Sequence, residues 1–242
     1  MDQNYLDAFR ELMEMDDVLI LVHRNPDGDC LGTAFALKRA FEKLGRRVCV
    51  AGHGTVDRNL RHITDGEETL NPQFVPSAIV TVDVATQQML GADLMGYADY
   101  VDYNIDHHFT NTEYARNNIV NGSASSAGEV LFDLFTACNV PIDDVMAEKL
   151  YAAIAFDTGC FRYSNTTAHT HAVTAKLLEY SFEELELNRV EARVMEGNTS
   201  SVKLLDSIGF RHEGTGIQEL YVKGKYVNVM HFALCRGEYS AK

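Results

Sequence analysis

Residues 22–32 read VHRNPDGDCLG and place a histidine and two aspartates within seven positions. The apolar run VLILV at 18–22 leads into this stretch, so a buried strand is predicted to end where the polar segment begins. Asp27 and Asp29 stand on either side of one glycine. Close carboxylates repel each other and raise each other's pKa unless a cation lies between them. The stretch is therefore either a metal-binding loop or an Asp-rich turn in contact with solvent.

Strand and helix patterns alternate around this loop over the first 160 residues. Strands are predicted at 18–22, 47–52, 77–85 and 98–106. Helices are predicted at 3–14, from 31 to about 44, and at 125–138, 143–156 and 167–180. Strands that are apolar almost without interruption and alternate with helices indicate an α/β fold. In such a fold, helices cover both faces of a mostly parallel sheet.

Carboxylate and imidazole side chains occur where these elements are predicted to end, and ligands collect at the carboxyl ends of strands in such sheets. They are His23, Asp27, Asp29, Asp83, Asp106, His107, His108 and Asp157. Taken singly, each aspartate has an ordinary interpretation as a helix cap or a turn residue, and the histidine pair as polar surface. Their coincidence at one edge of one sheet favours a common site.

Five aspartates and three histidines are more ligands than one ion needs. Two divalent ions about 3.5–4 Å apart, sharing a bridging carboxylate, would use them all. Mixed carboxylate and imidazole ligands suit Mn²⁺, and Mg²⁺ also fits, whereas Zn²⁺ is less expected without cysteine ligands. Asp27 and Asp29 could then stand close together because each would face a different ion.

The composition narrows the range of functions. The net charge of −14 argues against broad electrostatic binding to nucleic acid, although bound metal ions can supply local positive charge for a phosphorylated substrate. Five cysteines without a CxxC pair favour reduced thiols and a cytoplasmic protein. The acidic start of the chain and the absence of a long apolar run predict neither an export signal nor a membrane span.

Four segments in this order resemble the successive metal motifs of the DHH phosphoesterases: HRNPDGD, the strand VDVA, the IDHH run and AAIAFDTGCFRYSNTT. The last of these, together with NGSASSAGEVLFDL, is most similar to the nano-RNase/pAp phosphatase branch of the family. The likeness covers about residues 1–180, which are expected to form one domain.

The resemblance implies a ligand set of His23, Asp27, Asp29, Asp83, His107 and Asp157. In this arrangement His23 and Asp27 would hold one ion. Asp29, His107 and Asp157 would hold the other. Asp83 would bridge the two ions, which together would activate a water molecule for attack on a phosphate ester.

Further roles outside the ligand set are implied by the same resemblance. Asp106 would orient His107, and His108 would contact the scissile phosphate. Arg24 and Arg162 would be additional phosphate contacts. The residues expected to act in catalysis are Asp83, His107 and His108.

The function implied by the resemblance is metal-dependent hydrolysis of short oligoribonucleotides, 3′-phosphoadenosine 5′-phosphate (pAp), or both. The resemblance also suggests a homodimer. Family members normally continue into a second domain with a glycine-rich GGGH-like segment, and no such segment occurs here. Turnover could therefore be impaired, and the alternative is a metal- or nucleotide-binding remnant with little activity.

Residues 181–242 resemble a different family, the GNAT N-acetyltransferases, through LNRVEARV, GNTSSVKLLDSIGF, RHEGTG and GKYVNVMHFAL. The pattern predicts a strand at 187–195, a short helix capped by Asn198 or Thr199, and two strands around a turn at 223–225. The family's acetyl-CoA pyrophosphate rests on a glycine-rich loop at a helix N-terminus. No such loop precedes residue 187, so this small α+β fragment is expected to be inactive in acetyl transfer.

Overall fold

The computed structural model describes residues 2–52, 56–67, 69, 72–183, 188–222 and 224–238. The chain divides into two compact units, Met1–Asp157 and Thr158–Lys242. The domain boundary expected near residue 180 lies between two segments that resemble different families, and it stays a prediction. Two positions of the predicted tail elements, residue 187 and Lys223, lie outside the described residues.

The first unit is built on a five-stranded sheet in which every neighbouring pair of strands is parallel. The strands are β1 (Val18–Leu21), β2 (Val48–Ala51), β3 (Ala78–Val82), β4 (Tyr103–Asp106) and β5 (Asn117–Val120). The helices are α1 (Gln3–Met13), α2 (Gly28–Lys43), α3 (Ala127–Ala137) and α4 (Asp144–Asp157). Short 3₁₀ segments occur at Arg58–Leu60, Gln87–Met89 and Ala92–Tyr100. The predicted α/β fold is confirmed.

The central strands are buried on both faces, as their apolar sequences require. In β1, Leu19 and Leu21 pack with Leu94 and Ala98 of the last 3₁₀ segment. Ile20, which points to the opposite face, is equally inaccessible to solvent. Helices α2 and α3 contact strands β1, β3 and β4. The hydrophobic core thus extends across the middle of the sheet.

The strand order is β2-β1-β3-β4-β5. The chain moves from β1 outward to β2, then crosses back so that β3 lies on the other side of β1. The direction of winding therefore reverses between β1 and β3, and a crevice forms beyond the carboxyl ends of the strands at such a point. The residues that follow β1 and β3 border this crevice.

The structure differs from the sequence-based prediction at two strands. The strand predicted at 98–106 is only four residues long, because the preceding residues wind into the 3₁₀ segment Ala92–Tyr100. Gln87 Nε2 holds this segment by donating to the carbonyl of Ala98 at 2.8 Å. Strand β5 was missed, because it is a half-exposed edge strand whose sequence NNIV begins with two polar residues.

The second unit contains helices α5 (Ala168–Glu183) and α6 (Thr199–Ser207) and three antiparallel strands. The strands are β6 (Arg189–Met195), β7 (Arg211–Val222) and β8 (Lys225–Cys235), in the order β6-β8-β7. Asn198 caps α6, since its Oδ1 accepts from the backbone N–H of Ser201 at 3.2 Å. The predicted strand–helix–hairpin is present.

Two further sequence-based expectations can be compared with the structure. All five cysteines are free thiols. Within the part of the chain that the structure describes, no helix combines the length and apolar character needed to cross a bilayer.

Gly32 is predicted to be essential for the packing of α2 against α4. A Cβ at this position would lie 2.5 Å from the carbonyl oxygen of Lys149 and 3.0 Å from the Cβ of Ala153. The gain in helix propensity from Gly32→Ala, about 1 kcal/mol, is therefore outweighed by overpacking against backbone. We expect a net loss of about 1–3 kcal/mol in the free energy of unfolding, measured by urea denaturation.

Gly96→Ala is the matched control, because no described atom lies within 4 Å of a Cβ placed there. Its effect should stay within about 0.5 kcal/mol. A Gly32→Ala protein as stable as the wild type would contradict this view of the helix interface.

Candidate metal centre

The loop that follows β1 ends where α2 begins, and Asp27 is the residue that caps this helix. Its Oδ1 accepts hydrogen bonds from the backbone N–H groups of Asp29 and Cys30, both at 3.1 Å. Capping of this kind satisfies donors that have no partner within the helix. One oxygen of Asp27 is thus engaged in holding the helix terminus, and Asp29 is placed in its first turn.

Asp29 is completely buried, and its carboxylate meets the N-terminus of another helix. The backbone N–H of Ala127 donates to Oδ2 at 2.7 Å, and that of Gly128 donates to Oδ1 at 3.0 Å. The hydroxyl of Thr33 donates to Oδ1 at 3.2 Å. The positive end of the α3 dipole therefore compensates part of this buried charge.

Asp83 directly follows β3 and lies at the centre of the cluster. Its backbone has a φ of 56°, in the left-handed region that few residues other than glycine, Asn or Asp adopt. The residue is 3% exposed, and its Oδ1 has no hydrogen-bond partner among the described residues. A buried carboxylate oxygen without a donor is costly, and a cation is a partner that would satisfy it.

Two histidines face the two oxygens of Asp83. His107 Nε2 lies 3.6 Å from Oδ1, and His23 Nε2 lies 3.7 Å from Oδ2. His107 Nε2 is also 3.7 Å from Asp29 Oδ2 and 3.5 Å from Asp157 Oδ2. These separations are longer than hydrogen bonds. The atoms are nevertheless close enough together to coordinate the same ion.

Asp106 is fully buried and organises the residues after β4. The sequence suggested that it orients His107, whereas its Oδ1 lies 2.8 Å from Nδ1 of His108. The same oxygen accepts from the backbone N–H of His107 at 2.8 Å. The ring of His107 is placed differently, with Nδ1 3.4 Å from the carbonyl of Ala124. Asp106 therefore orients the ring of His108.

Three groups of candidate ligand atoms, each within 4.8 Å of one another, occur in the described residues. One contains Asp29, His107 and Asp157, the second His23, Cys30 and Asp83, and the third Asp83, Asp106, His107 and His108. Asp83 belongs to two of these groups. Among the described residues, Asp27 belongs to none of them.

Cys30 belongs to the second of these groups but was not identified from the sequence, although it directly follows the DGD motif at 27–29. The residue is fully buried, and its Sγ donates to the carbonyl of Val82 at 3.4 Å. Burial raises the pKa of the thiol well above its usual range, and the charge of Asp83 adds to this effect. Without a cation, Cys30 is a neutral thiol at neutral pH.

The two arginines expected to contact phosphate lie in different units. Arg24 is an exposed residue whose backbone N–H donates to the carbonyl of Met89 at 2.9 Å. Arg162 belongs to the second unit, where its Nε donates to the carbonyl of Gly159 at 2.5 Å. Both roles stay predictions.

Burial and crowding change the proton affinities of this site. Burial raises the pKa values of Asp27 and Asp157, and that of Asp29 well above the usual range, with the charge of Asp83 adding to each. Burial would also raise the pKa of Asp83, but His107 and His23 outweigh it and the pKa is lowered. Burial and mutual repulsion therefore favour the protonated forms of Asp27, Asp29 and Asp157, whereas a nearby cation would favour their charged forms.

The pKa values of His107 and His108 are raised, which favours their charged forms. Burial would lower the pKa of His107, but the charges of Asp83, Asp29 and Asp157 outweigh it and raise the value to about 9. Hydrogen bonding to Asp106 raises the pKa of His108.

By class this is an α/β protein with a parallel sheet, and the carboxylates and histidines at its topological switch could hold metal ions. The sequence also matches the profile of the DHH family, N-terminal domain, over residues 17–154. The chain belongs to the DHH family, as its four motifs indicated.

Curated relatives resemble most of the chain. A bifunctional oligoribonuclease and PAP phosphatase, NrnA, from Thermus thermophilus is 29% identical over 202 residues, covering 81% of this chain and 60% of the relative. NrnA of Bacillus subtilis is 26% identical over 191 residues, covering 75% and 58%. The chain thus spans less than two thirds of the length of these relatives.

Two other likenesses complete the comparison. An exopolyphosphatase-related protein from Bacteroides fragilis has the same fold, with a TM-score of 0.67 over 88% of this chain and 67% of that one, at 18% identity. A small C-terminal part is similar to N-acetyltransferases. The uncharacterized N-acetyltransferase p20 of Bacillus licheniformis is 39% identical over 89 residues, covering 37% of this chain and 49% of the relative.

We predict that the apparent affinity for Mn²⁺ rises with pH between about pH 6.5 and 8.5. A proton on His107, whose pKa is about 9, competes with a cation for the same nitrogen. Raising the pH removes that proton, so Kd should fall by up to roughly tenfold per pH unit for each proton displaced. Isothermal titration calorimetry in two buffers of different ionisation enthalpy measures both Kd and proton release. A Kd independent of pH, without proton release, would contradict the ligand role of His107.

Proposed function

We propose that this chain is a two-metal phosphoesterase that hydrolyses short oligoribonucleotides, pAp, or both. The observation that carries the proposal is the buried carboxylate of Asp83, whose two oxygens face His107 and His23 and whose Oδ1 has no donor among the described residues. Such a carboxylate is suited to bridge two cations.

The proposed ligands form two sets that share Asp83. Asp29, His107 and Asp157 would hold one ion, which agrees with their grouping around His107 Nε2. His23 and Asp27 would hold the other. The remaining nitrogen of His107 faces a backbone carbonyl, which is the usual means of presenting the opposite nitrogen to a metal.

Manganese is the proposed metal, because mixed carboxylate and imidazole ligands suit borderline divalent ions and Mg²⁺ remains an acceptable substitute. Two such ions lower the pKa of a bound water and neutralise charge that develops on the phosphoryl oxygens. The remaining roles in the proposed mechanism are those of side chains of the protein.

His108 is proposed to contact the scissile phosphate. Its Nδ1 is engaged with Asp106, so Nε2 is the nitrogen available to a substrate. The raised pKa of His108 favours the imidazolium form, which donates a hydrogen bond to a phosphoryl oxygen. Asn111 keeps Asp106 in place, since its Nδ2 donates to Asp106 Oδ2 at 2.5 Å.

The proposed substrates are taken from the relatives, which are named for oligoribonuclease and PAP phosphatase activities. This chain covers 60% and 58% of the lengths of these two relatives, so their activities are proposed for it rather than taken as established. The homodimer stays a prediction. For the C-terminal unit we propose that acetyl transfer is absent, which predicts no rise in melting temperature on addition of acetyl-CoA.

Removal of the metals is predicted to abolish hydrolysis. EDTA should stop the release of phosphate from pAp and of mononucleotides from a diribonucleotide, and Mn²⁺ should restore both better than Mg²⁺. Asp83→Asn should lose at least about 100-fold in kcat, because it removes the bridging charge without changing the size of the side chain. Asn also tolerates the left-handed backbone found at this position.

Asp99→Asn is the matched control, since Asp99 is an exposed carboxylate on the 3₁₀ segment that precedes β4. It should keep full activity. Full activity of the Asp83→Asn protein in EDTA would overturn the proposal. Binding of two Mn²⁺ ions without any turnover of either substrate would instead favour the remnant.

A further inference from the structure

Phe109 directly follows the proposed phosphate contact, His108, and is 90% exposed. Single exposed apolar side chains are common on protein surfaces, so exposure alone identifies nothing. Its place in the chain, one residue after His108, and the way its backbone is held are more informative.

The backbone of Phe109 lies in a turn that is fixed to the site. The backbone N–H of Asn111 donates to the carbonyl of His108 at 3.0 Å, which closes the turn around Phe109. The side chain of Asn111 then anchors the turn, because its Nδ2 donates to Asn104 Oδ1 at 2.7 Å as well as to Asp106. The carboxylate that orients His108 therefore also fixes the turn that carries Phe109.

Gly122 supports the same turn from the other side. A Cβ at this position would lie 3.3 Å from both Cα and Cβ of Phe109, closer than most side chains are found. The lack of a side chain at residue 122 thus allows the backbone of Phe109 to approach closely. The main chain at Phe109 is confined while its ring remains open to solvent.

An exposed aromatic ring on a fixed backbone has the properties of a stacking platform. It presents an apolar face, has only two rotatable bonds to order, and accepts any nucleobase because every base has a π-face. A ring one residue from a phosphate contact is suited to a ligand that carries a base next to a phosphate. A phosphate ester without a base would gain nothing from it.

We propose that a nucleobase of the substrate stacks on Phe109 while the adjacent phosphate contacts His108. The inference rests on the proposed phosphoesterase function and assigns the binding position of the substrate's base. Purine bases are favoured over pyrimidines, because the larger ring system covers more of the phenyl face.

The test compares two ligands that differ in the base, AMP and ribose 5-phosphate, by calorimetry on the Mn²⁺-loaded full chain. We expect the wild type to bind AMP on the order of tenfold more tightly than ribose 5-phosphate. Phe109→Ala should lose that preference through weaker AMP binding, with the affinity for ribose 5-phosphate unchanged. Phe109→Trp should retain it.

Tyr100→Ala is the matched control. Tyr100 is another exposed aromatic residue, but it lies before β4, at the edge of the sheet opposite the metal centre. Its removal should leave both affinities unchanged. Equal binding of AMP and ribose 5-phosphate by the wild type would overturn the inference, and so would a Phe109→Ala protein that keeps the preference or weakens both ligands alike.

Hydrolysis of pAp by the wild type separates this inference from the proposed function. If pAp is not hydrolysed but the preference for AMP disappears in Phe109→Ala, the stacking role stands and the phosphoesterase activity fails. If pAp is hydrolysed and the substitution has no effect on AMP binding, the activity stands and the stacking role fails.

Discussion

The compensation of buried negative charge is the constraint on which the rest of this structure depends. Asp27, Asp29, Asp83 and Asp157 gather at one edge of the sheet, and three of them have raised pKa values, with burial as the main cause. The protein supplies part of the balance itself through His107, His23 and the N-terminus of α3. We expect divalent cations to compensate the remaining negative charge.

The fold makes this gathering feasible because strands β1, β3 and β4 are neighbours in the sheet. His23 follows β1 by two residues, Asp83 directly follows β3, and Asp106 is the last residue of β4, so the neighbouring strands bring these side chains together. The helices contribute through their ends: Asp29 lies in the first turn of α2, and Asp157 is the last residue of α4. Gly32 allows α2 to approach α4 closely, and Gly128 allows the same for α3 and α4.

Much of this arrangement follows from the sequence, because buried parallel strands produce continuous apolar runs and the polar residues mark where they end. The edge strand β5 could not be found in this way, since half-exposed positions carry no apolar run. The hydrogen-bond partner of Asp106 could not be predicted either, because the sequence does not show which of the two adjacent histidine rings turns towards the carboxylate. The roles of Cys30 and of the α3 N-terminus could not be predicted, because they depend on contacts between residues far apart in the sequence.

Two cations are expected on either side of the Asp83 carboxylate. Anomalous diffraction from a crystal soaked in Mn²⁺ would locate them. We expect two peaks about 3.5–4 Å apart, one near His23 and one near His107, with an Asp83 oxygen within coordination distance of each. A map without peaks at this edge of the sheet, or with bound manganese out of reach of Asp83, would contradict the claim.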